Sequence, residues 1–227
     1  MEGEDLARVR GFYREKLKQA FCYSRECSQP AGSVAEAVVD HPEFEAMLRD
    51  CEAGSFECAR RAGEMAVVYL DRAPRTGAAG KGEWWRDLLN YERGWFLQSA
   101  TIAVEPPSNR PRRGLSAVCM NFSWKLPELI AHLKDGRPIA EDLHQPVTLL
   151  FARGLDCRPC VVEVGPTVER VFRATNGLRT VEQIAAAAGV SREETEEVLD
   201  ALAGAGALEL AMSPEEMTRR IAAREER

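Results

Sequence analysis

The chain has 227 residues, 45% of them apolar and 29% charged, a composition typical of a globular protein with one or two domains. Its apolar runs are far shorter than the roughly 20 residues that cross a bilayer, which excludes a membrane-spanning protein. Lysine and arginine number 30 against 36 aspartates and glutamates, and the resulting net charge of −6 disfavours sequence-independent binding to nucleic acid.

The cysteines and the N-terminus indicate the compartment. The first residues are acidic where a secretory signal would be basic and then apolar, so we expect a cytoplasmic protein with reduced thiols. Only Cys157 and Cys160 have the spacing of a redox pair or of half a zinc site. Because this pair opens a predicted strand, a hairpin turn is favoured. Redox exchange and a zinc site shared with Cys22 and Cys27 stay as alternatives.

Residues 1–104 are predicted to form an all-helical domain. Apolar residues recur at three- and four-residue steps over 4–22 and 55–72, and a further helix is expected to begin near Pro42 with Asp40 as its cap.

The strongest helical pattern spans 83–104, where tryptophans, leucines and aromatic residues form one stripe. Glu92 lies beside this stripe, so we expect it to be buried. A buried carboxylate requires a partner, and an internal ion pair is favoured over a general base or a metal ligand.

Residues 105–114 are predicted to be a linker. The segment contains three prolines and ends in glycine, so no regular structure is expected there. Arg110, Arg112 and Arg113 form the main basic cluster of the chain, either as a solvated linker or in contact with an acidic partner.

Beyond the linker, the pattern predicts a winged helix-turn-helix over 115–212 and a polar helix over 213–227. Two capping patterns, at Thr180 and Ser191, mark the starts of the paired helices. The fold class is therefore α+β, an N-terminal helical domain followed by a winged helix with a small antiparallel sheet. The predicted strands are 115–124, 147–152, 160–164 and 207–210, and the helices are 126–133, 166–175, 181–188 and 191–203.

The charge of the helix 191–203 argues against the usual role of this motif. It carries one basic residue, Arg192, against five acidic residues, a net charge of −4, so DNA phosphates would repel it. A regulator that reads DNA through another surface stays an alternative. Recognition of a peptide as an added strand is the favoured role, and the strand from Cys160 to Val164 is the expected edge.

Two segments also carry a family resemblance. The motif from Leu88 to Glu92 (LLNYE), followed by the linker and by residues 171–184 (VFRATNGLRTVEQI), resembles partner proteins of multinuclear non-haem iron-dependent oxidative enzymes. Those systems make ribosomally synthesised and post-translationally modified peptides, among them methanobactin and 3-thiaglutamate. The C-terminal part also resembles the PqqD-like peptide-recognition element. The resemblance spans most of residues 40–212, through loose patterns.

The resemblance implies a non-catalytic subunit of a heteromeric complex. The iron would belong to a separate enzyme chain. This chain would contain no cofactor and would bind neither nucleic acid nor a membrane. It would bind the leader of a precursor peptide and deliver the cysteine-bearing core, while the helical domain and the arginines of the linker contact the enzyme. The implied peptide-binding residues are Cys160, Val161, Val162, Glu163 and Val164 on the strand, and Thr195, Val198, Leu199 and Leu202 on the helix.

Overall fold

The structure is a computed structural model that describes residues 3–28, 30, 32–75, 82–102, 110–154 and 158–209. Helices and small antiparallel sheets together confirm the α+β class. The chain divides into two compact units: Met1–Ala103 with Phe122–Val147, and Val104–Asn121 with Thr148–Arg227. The predicted polar helix over 213–227 lies outside the described residues, as does Cys157. Within the described ranges, no helix combines the length and the apolar character that a membrane crossing requires.

The first unit is helical, as predicted. Its helices are α1 (Gly3–Ala20), α2 (Tyr23–Glu26), α3 (Val34–Val39), α4 (Pro42–Asp50), α5 (Phe56–Arg72), α6 (Trp85–Ala100) and α7 (Leu126–Lys134).

The start of α4 differs in one detail from the prediction. His41 is its N-cap, and its Nδ1 accepts a hydrogen bond of 3.2 Å from the backbone N–H of Glu43. Asp40, the predicted cap, instead ends α3, a short helix that no sequence pattern predicted. Pro42 occupies the first turn as expected, where a missing N–H has no cost.

Helices α5 and α6 pack closely at Gly63. A Cβ atom built on Gly63 would lie 3.1 Å from Cγ of Arg93 and 3.1 Å from Cδ1 of Phe96. The helix pair approaches closely there because this position has no side chain. The core of this unit includes several large aromatic side chains, among them the fully buried Trp85 and Tyr13.

The helix α7 belongs to the first unit, not to the second. The carboxylate of Asp87 on α6 accepts hydrogen bonds from the backbone N–H groups of Ser123, at 2.7 Å, and Trp124, at 3.2 Å. These bonds hold the segment that leads into α7. The unit boundaries therefore differ from the predicted domain 115–212, because Phe122–Val147 packs with the helical residues.

The second unit contains two small sheets and three helices. Its strands are β1 (Arg112–Arg113), β2 (Val118–Phe122), β3 (Val147–Arg153), β4 (Pro159–Glu163) and β5 (Leu208–Glu209). The last residue of β2, Phe122, and the first residue of β3, Val147, are counted with the first unit. Its helices are α8 (Pro166–Ala174), α9 (Val181–Ala188) and α10 (Arg192–Gly204). The sheet order is β2-β3-β4 in one sheet and β1-β5 in the other.

One apolar core joins the helices of this unit to its sheet. Leu150 of β3 packs in one cluster with Phe172, Ile184 and Leu199, one from each of the three helices. The predicted capping box at Thr180 is present in full, and at Ser191 the side chain accepts from the backbone N–H of Glu194. Capping and core burial together fix the positions of α9 and α10.

The expectation that 105–114 has no regular structure is wrong at its end. Arg112 and Arg113 form β1, which pairs antiparallel with Glu209 and Leu208 of β5. The pairing is favoured because Arg112 also forms an ion pair with Glu209 across the two strands. Residues 103–109 lie outside the described part of the chain.

Candidate functional site

The strand β4 lies at one edge of its sheet. It pairs antiparallel with β3 in a regular register, from Leu149 opposite Glu163 to Arg153 opposite Pro159. In the sheet order, β3 is its one strand neighbour among the residues that the structure describes. The predicted edge is therefore present, since the second side of β4 has no partner strand within this described sheet.

Backbone hydrogen bonds at the two ends of this pairing define which groups point outward. The N–H of Val164 donates to the carbonyl of Thr148 at 2.9 Å, and the carbonyl of Arg158 accepts from Gly154 at 2.9 Å. In an antiparallel pair, hydrogen-bonded and non-bonded residue pairs alternate. The even-numbered residues of β4 therefore bond to β3, and the N–H and C=O groups of Val161 and Glu163 point away from it.

The side chains of β4 differ between its two faces. Cys160 and Val164 lie half-buried against the core of the second unit. Val162 shares their face by strand alternation, yet 45% of its surface is exposed. Glu163 is exposed on the other face. An exposed valine beside outward-pointing backbone groups provides both apolar contact and hydrogen bonding for an added strand.

Three of the four predicted residues on α10 are not available to a peptide. Thr195, Leu199 and Leu202 are 0%, 4% and 2% exposed. The prediction that these three side chains contact the peptide is therefore wrong for this structure. Leu199 and Leu202 belong to the apolar core, and the hydroxyl of Thr195 donates to the carbonyl of Ser191 at 2.7 Å. The sequence pattern identified the apolar face of the helix, which the core already uses.

The fourth predicted residue, Val198, lies at the margin of that core. It is half-buried and packs against the core cluster. The thiol of Cys160 lies 3.6 Å from the carbonyl oxygen of Ala205, which places the end of α10 beside β4. By helical spacing, Ala205, Ala201 and Glu194 share the flank of Val198. We define the edge groove as the outer edge of β4 together with this flank of α10.

The opposite flank of α10 holds its basic residue. Arg192 forms ion pairs with Glu196, at 2.8 Å, and with Glu182 of α9, at 3.1 Å. Glu193, Glu194 and Glu197 are exposed. The acidic character that the sequence predicted therefore lies on the solvent side of the helix.

The three predicted partner-contact arginines have contacts inside the second unit. Arg110 donates to the carbonyl of Leu178, and Arg112 pairs with Glu209. The guanidinium of Arg113 lies over the ring of Phe172, 5.7 Å from its centre. Arg110 and Arg113 are also exposed, so an enzyme contact through them stays a prediction.

The thiols that the structure describes are all free. Cys22 and Cys27 have pKa values raised by burial, with a further contribution from the charge of Glu92. Among the described residues, no group of three or more histidines, cysteines or carboxylates is arranged to hold a metal ion. Cys157 lies outside these residues, and the redox and zinc alternatives for its pair with Cys160 stay predictions.

Glu92 is buried as predicted, being 1% exposed, but its described partners are not those of an ion pair. Its carboxylate accepts hydrogen bonds from the backbone N–H groups of Tyr23, at 2.7 Å, and Ser24, at 3.3 Å. Burial raises its pKa to about 7, while these hydrogen bonds act in the opposite direction. Glu92 therefore binds the first turn of α2, a helix too short for its sequence pattern to reveal.

The first unit also contains a cavity that no sequence pattern predicted. It has a volume of about 610 Å³ and is bounded by α3, α4 and α5. Met47, Met65 and Val68 line it, with Arg61 and Arg72 among its charged residues. The available signal was that Met65 and Val68 are apolar yet lie outside the stripe that α5 turns towards the core.

Comparisons with known proteins do not assign the chain to a family. No protein-family model matches it, and no curated protein matches it at a significant level. The features of the chain that bear on function are therefore the edge groove and the motifs at 88–92 and 171–184.

Proposed function

We propose that this protein is a non-catalytic partner subunit that binds the leader of a ribosomally made precursor peptide. It delivers the cysteine-bearing core of that peptide to a separate iron-dependent oxidative enzyme. The observation that carries the proposal is the outer edge of β4, where the backbone groups of Val161 and Glu163 point away from β3.

The leader binds as an additional strand. Its backbone pairs with Val161 and Glu163, and these hydrogen bonds supply affinity with little dependence on sequence. Alternate side chains of the leader then lie against Val162 and the Val198 flank of α10, and these contacts supply selectivity. We assign the second unit to the winged-helix class because α9 and α10 are joined by a turn at Gly189, which has a left-handed backbone (φ 68°). This fold suits the role because its small sheet offers an edge to an added strand.

Delivery works through effective concentration. Once the leader is bound, the core peptide is tethered to the complex, so its encounter with the enzyme becomes intramolecular. For short flexible linkers the effective concentration is on the order of millimolar, enough to make a weak encounter between core and enzyme productive.

The two chains divide the work. This chain binds and positions the peptide, and the oxidation of cysteine takes place on the enzyme. The helical unit and the exposed Arg110 and Arg113 form the contact with the enzyme. We expect the two chains to copurify, with iron in stoichiometric amount on the enzyme after the chains are separated. Stoichiometric iron on this chain would contradict the division of labour.

Replacing one residue of the edge tests the proposal. Val161→Pro removes an N–H that points outward and leaves the bonds between β4 and β3 in place, because proline is tolerated at sheet edges. The matched control is Val161→Thr, which keeps the N–H and the preference for a strand. The probe is a fluorescein-labelled synthetic leader segment of a cysteine-bearing precursor peptide, and its binding is followed by fluorescence anisotropy.

We expect Val161→Pro to weaken binding by about tenfold or more, since it removes one hydrogen bond and places a ring in the path of the added strand. Val161→Thr should bind within about twofold of the wild type, because a strand-compatible exposed residue changes little. Circular dichroism checks that both variants fold. Equal binding by Val161→Pro and Val161→Thr would contradict the proposal.

A further inference from the structure

We propose that the outer edge of β4 is self-complementary, so that two copies of this chain pair through β4 until a leader peptide displaces the second copy. The occupant of the edge in the absence of a leader is therefore a second copy of the chain. The pairing stands on the geometry of β4, while its regulatory role rests on the proposed function, since leader and second copy compete for the same backbone groups.

The edge of β4 lacks the features that usually keep sheet edges apart. Proteins protect such edges with lysine, with proline inside the strand, or with a bulge. The strand pairs with β3 without a bulge from Pro159 to Glu163, and its interior residues Cys160, Val161 and Val162 carry no charge and include no proline. Outward N–H and C=O groups on such a strand form a template for pairing with another chain.

One antiparallel register uses every outward group of Val161 and Glu163. If a two-fold axis passes between the Val162 residues of the two copies, Val161 lies opposite Glu163 of the second copy, and Glu163 lies opposite its Val161. Each of these residue pairs exchanges both of its backbone hydrogen bonds, because outward groups meet outward groups. The contact is closed, since the same patch is buried on both copies.

The two neighbouring symmetric registers are less favourable. With the axis at Val161, Glu163 would lie opposite Pro159 of the second copy. Proline has no N–H, so the carbonyl of Glu163 would have no donor from that residue. With the axis at Glu163, two carboxylates would lie directly opposite each other, which destabilises a pair of strands. The register through Val162 avoids both costs.

The side chains also fit the register through Val162. This valine is 45% exposed, and across the axis the two Val162 side chains meet with about 5 Å between their Cβ atoms, which covers their apolar surface. The two Glu163 side chains take diagonal positions, roughly 7–8 Å apart. That separation is close to the Debye length of about 8 Å at physiological salt, so their repulsion is weak. The two Arg158 residues lie at opposite ends of the paired strands.

The contact is small, because each copy contributes the outer edge of a five-residue strand. Interfaces of this size are weak and transient. At a protein concentration that leaves half of the edges paired, amide exchange at Val161 and Glu163 is slowed by only about twofold, and a saturating leader slows it far more. Pairing of this strength covers the edge without preventing leader binding.

Sedimentation velocity of the full chain tests the pairing. We expect the weight-average mass to rise towards that of two chains as the protein concentration increases from about 1 µM to about 500 µM, as for a weak and reversible contact. The labelled synthetic leader segment, added in excess, should return the mass to that of one chain with one leader bound.

Two substitutions locate the contact. Val162→Lys places two ammonium groups opposite each other across the axis, so this variant should keep the mass of one chain over the whole range. Val162→Ile is the matched control, because isoleucine keeps the apolar contact and the strand preference, and it should associate within about twofold of the wild type. Val161→Pro removes an outward N–H from both copies and should weaken association by about tenfold or more. Circular dichroism checks that each variant folds.

The outcomes separate this inference from the proposed function. The mass of one chain at every concentration contradicts self-pairing, whereas leader binding that depends on Val161 would still support the proposed function. Association that Val162→Lys leaves unchanged, or that persists with the leader bound, also contradicts self-pairing at β4. Association that Val162→Lys abolishes, with no binding of the leader, supports self-pairing and contradicts the proposed function.

Discussion

The carboxylate of Glu92 accepts a hydrogen bond of 2.7 Å from the backbone N–H of Tyr23, a residue 69 positions earlier in the chain. This contact joins α6 to the first turn of α2 through a buried group. It also places a titratable carboxylate inside the helical unit, with Glu26, Cys22 and Cys27 as titratable neighbours.

Stability should therefore depend on pH through Glu92. Burial raises its pKa from 4.5 to about 7, so between these values the folded protein binds more protons than the unfolded protein. The contribution of this group is greatest below pH 4.5 and is lost as the pH rises towards 7. The full shift corresponds to about 3 kcal/mol.

Glu92→Gln tests this dependence, because glutamine keeps an acceptor oxygen for the N–H groups of Tyr23 and Ser24 but does not titrate. We expect the free energy of unfolding of the variant, relative to the wild type, to rise by a few kcal/mol between pH 5 and pH 8. Urea unfolding at the two pH values measures it. If the free energies of unfolding of the variant and the wild type change in parallel with pH, Glu92 is not the source of the pH dependence.

Two adjacent residues of α10 should separate stability from binding. Leu199 is 4% exposed in the core, so Leu199→Ala should lower the free energy of unfolding by about 3 kcal/mol. Val198 lies at the margin, so Val198→Ala should cost about 1 kcal/mol or less and weaken leader binding by about fivefold.

Chemical denaturation and fluorescence anisotropy on the same two variants give both quantities. Wild-type affinity for the leader in the Val198→Ala variant would show that this flank of α10 does not contact the peptide.

Gly63 should be intolerant of a side chain, because a Cβ atom would lie 3.1 Å from both Arg93 and Phe96. We expect Gly63→Leu to lower the free energy of unfolding by about 2 kcal/mol through overpacking, despite the better helix propensity of leucine. Thermal unfolding measures the change.

Gly11 provides the matched control on α1, since a Cβ atom there meets nothing within 4 Å. Gly11→Ala should stabilise the protein by about 0.5–1 kcal/mol, the usual gain from replacing an exposed helical glycine. If both substitutions change the free energy of unfolding in the same direction, the close approach of α5 and α6 does not limit the side chain at Gly63.

The long elements could be predicted from the sequence because their signals are local. Apolar spacing located α1, α5 and α6, and the capping patterns located α9 and α10. The short helices α2 and α3 were missed. With four and six residues, they are too short for a periodic pattern, and contacts made by other parts of the chain hold them in place.

The candidate site was predictable only in part. The apolar run from Cys160 to Val164 indicated a strand, and the structure places that strand at a sheet edge. The pattern could not tell whether an apolar residue of α10 faces the core or a ligand, so Leu199 and Leu202 were assigned to a surface from which they are absent. The pairing of β1 with β5 was also beyond local signals, since Arg112 and Glu209 are 97 positions apart.

Amide hydrogen exchange of β4, resolved by residue with NMR, tests peptide addition at this edge most directly. In the free protein, the N–H groups of Val162 and Val164 should exchange slowly because they bond to β3, while those of Val161 and Glu163 should exchange quickly. Saturating synthetic leader should slow the exchange of Val161 and Glu163 by about tenfold or more. Unchanged exchange at both residues, with the leader bound, would contradict strand addition at β4.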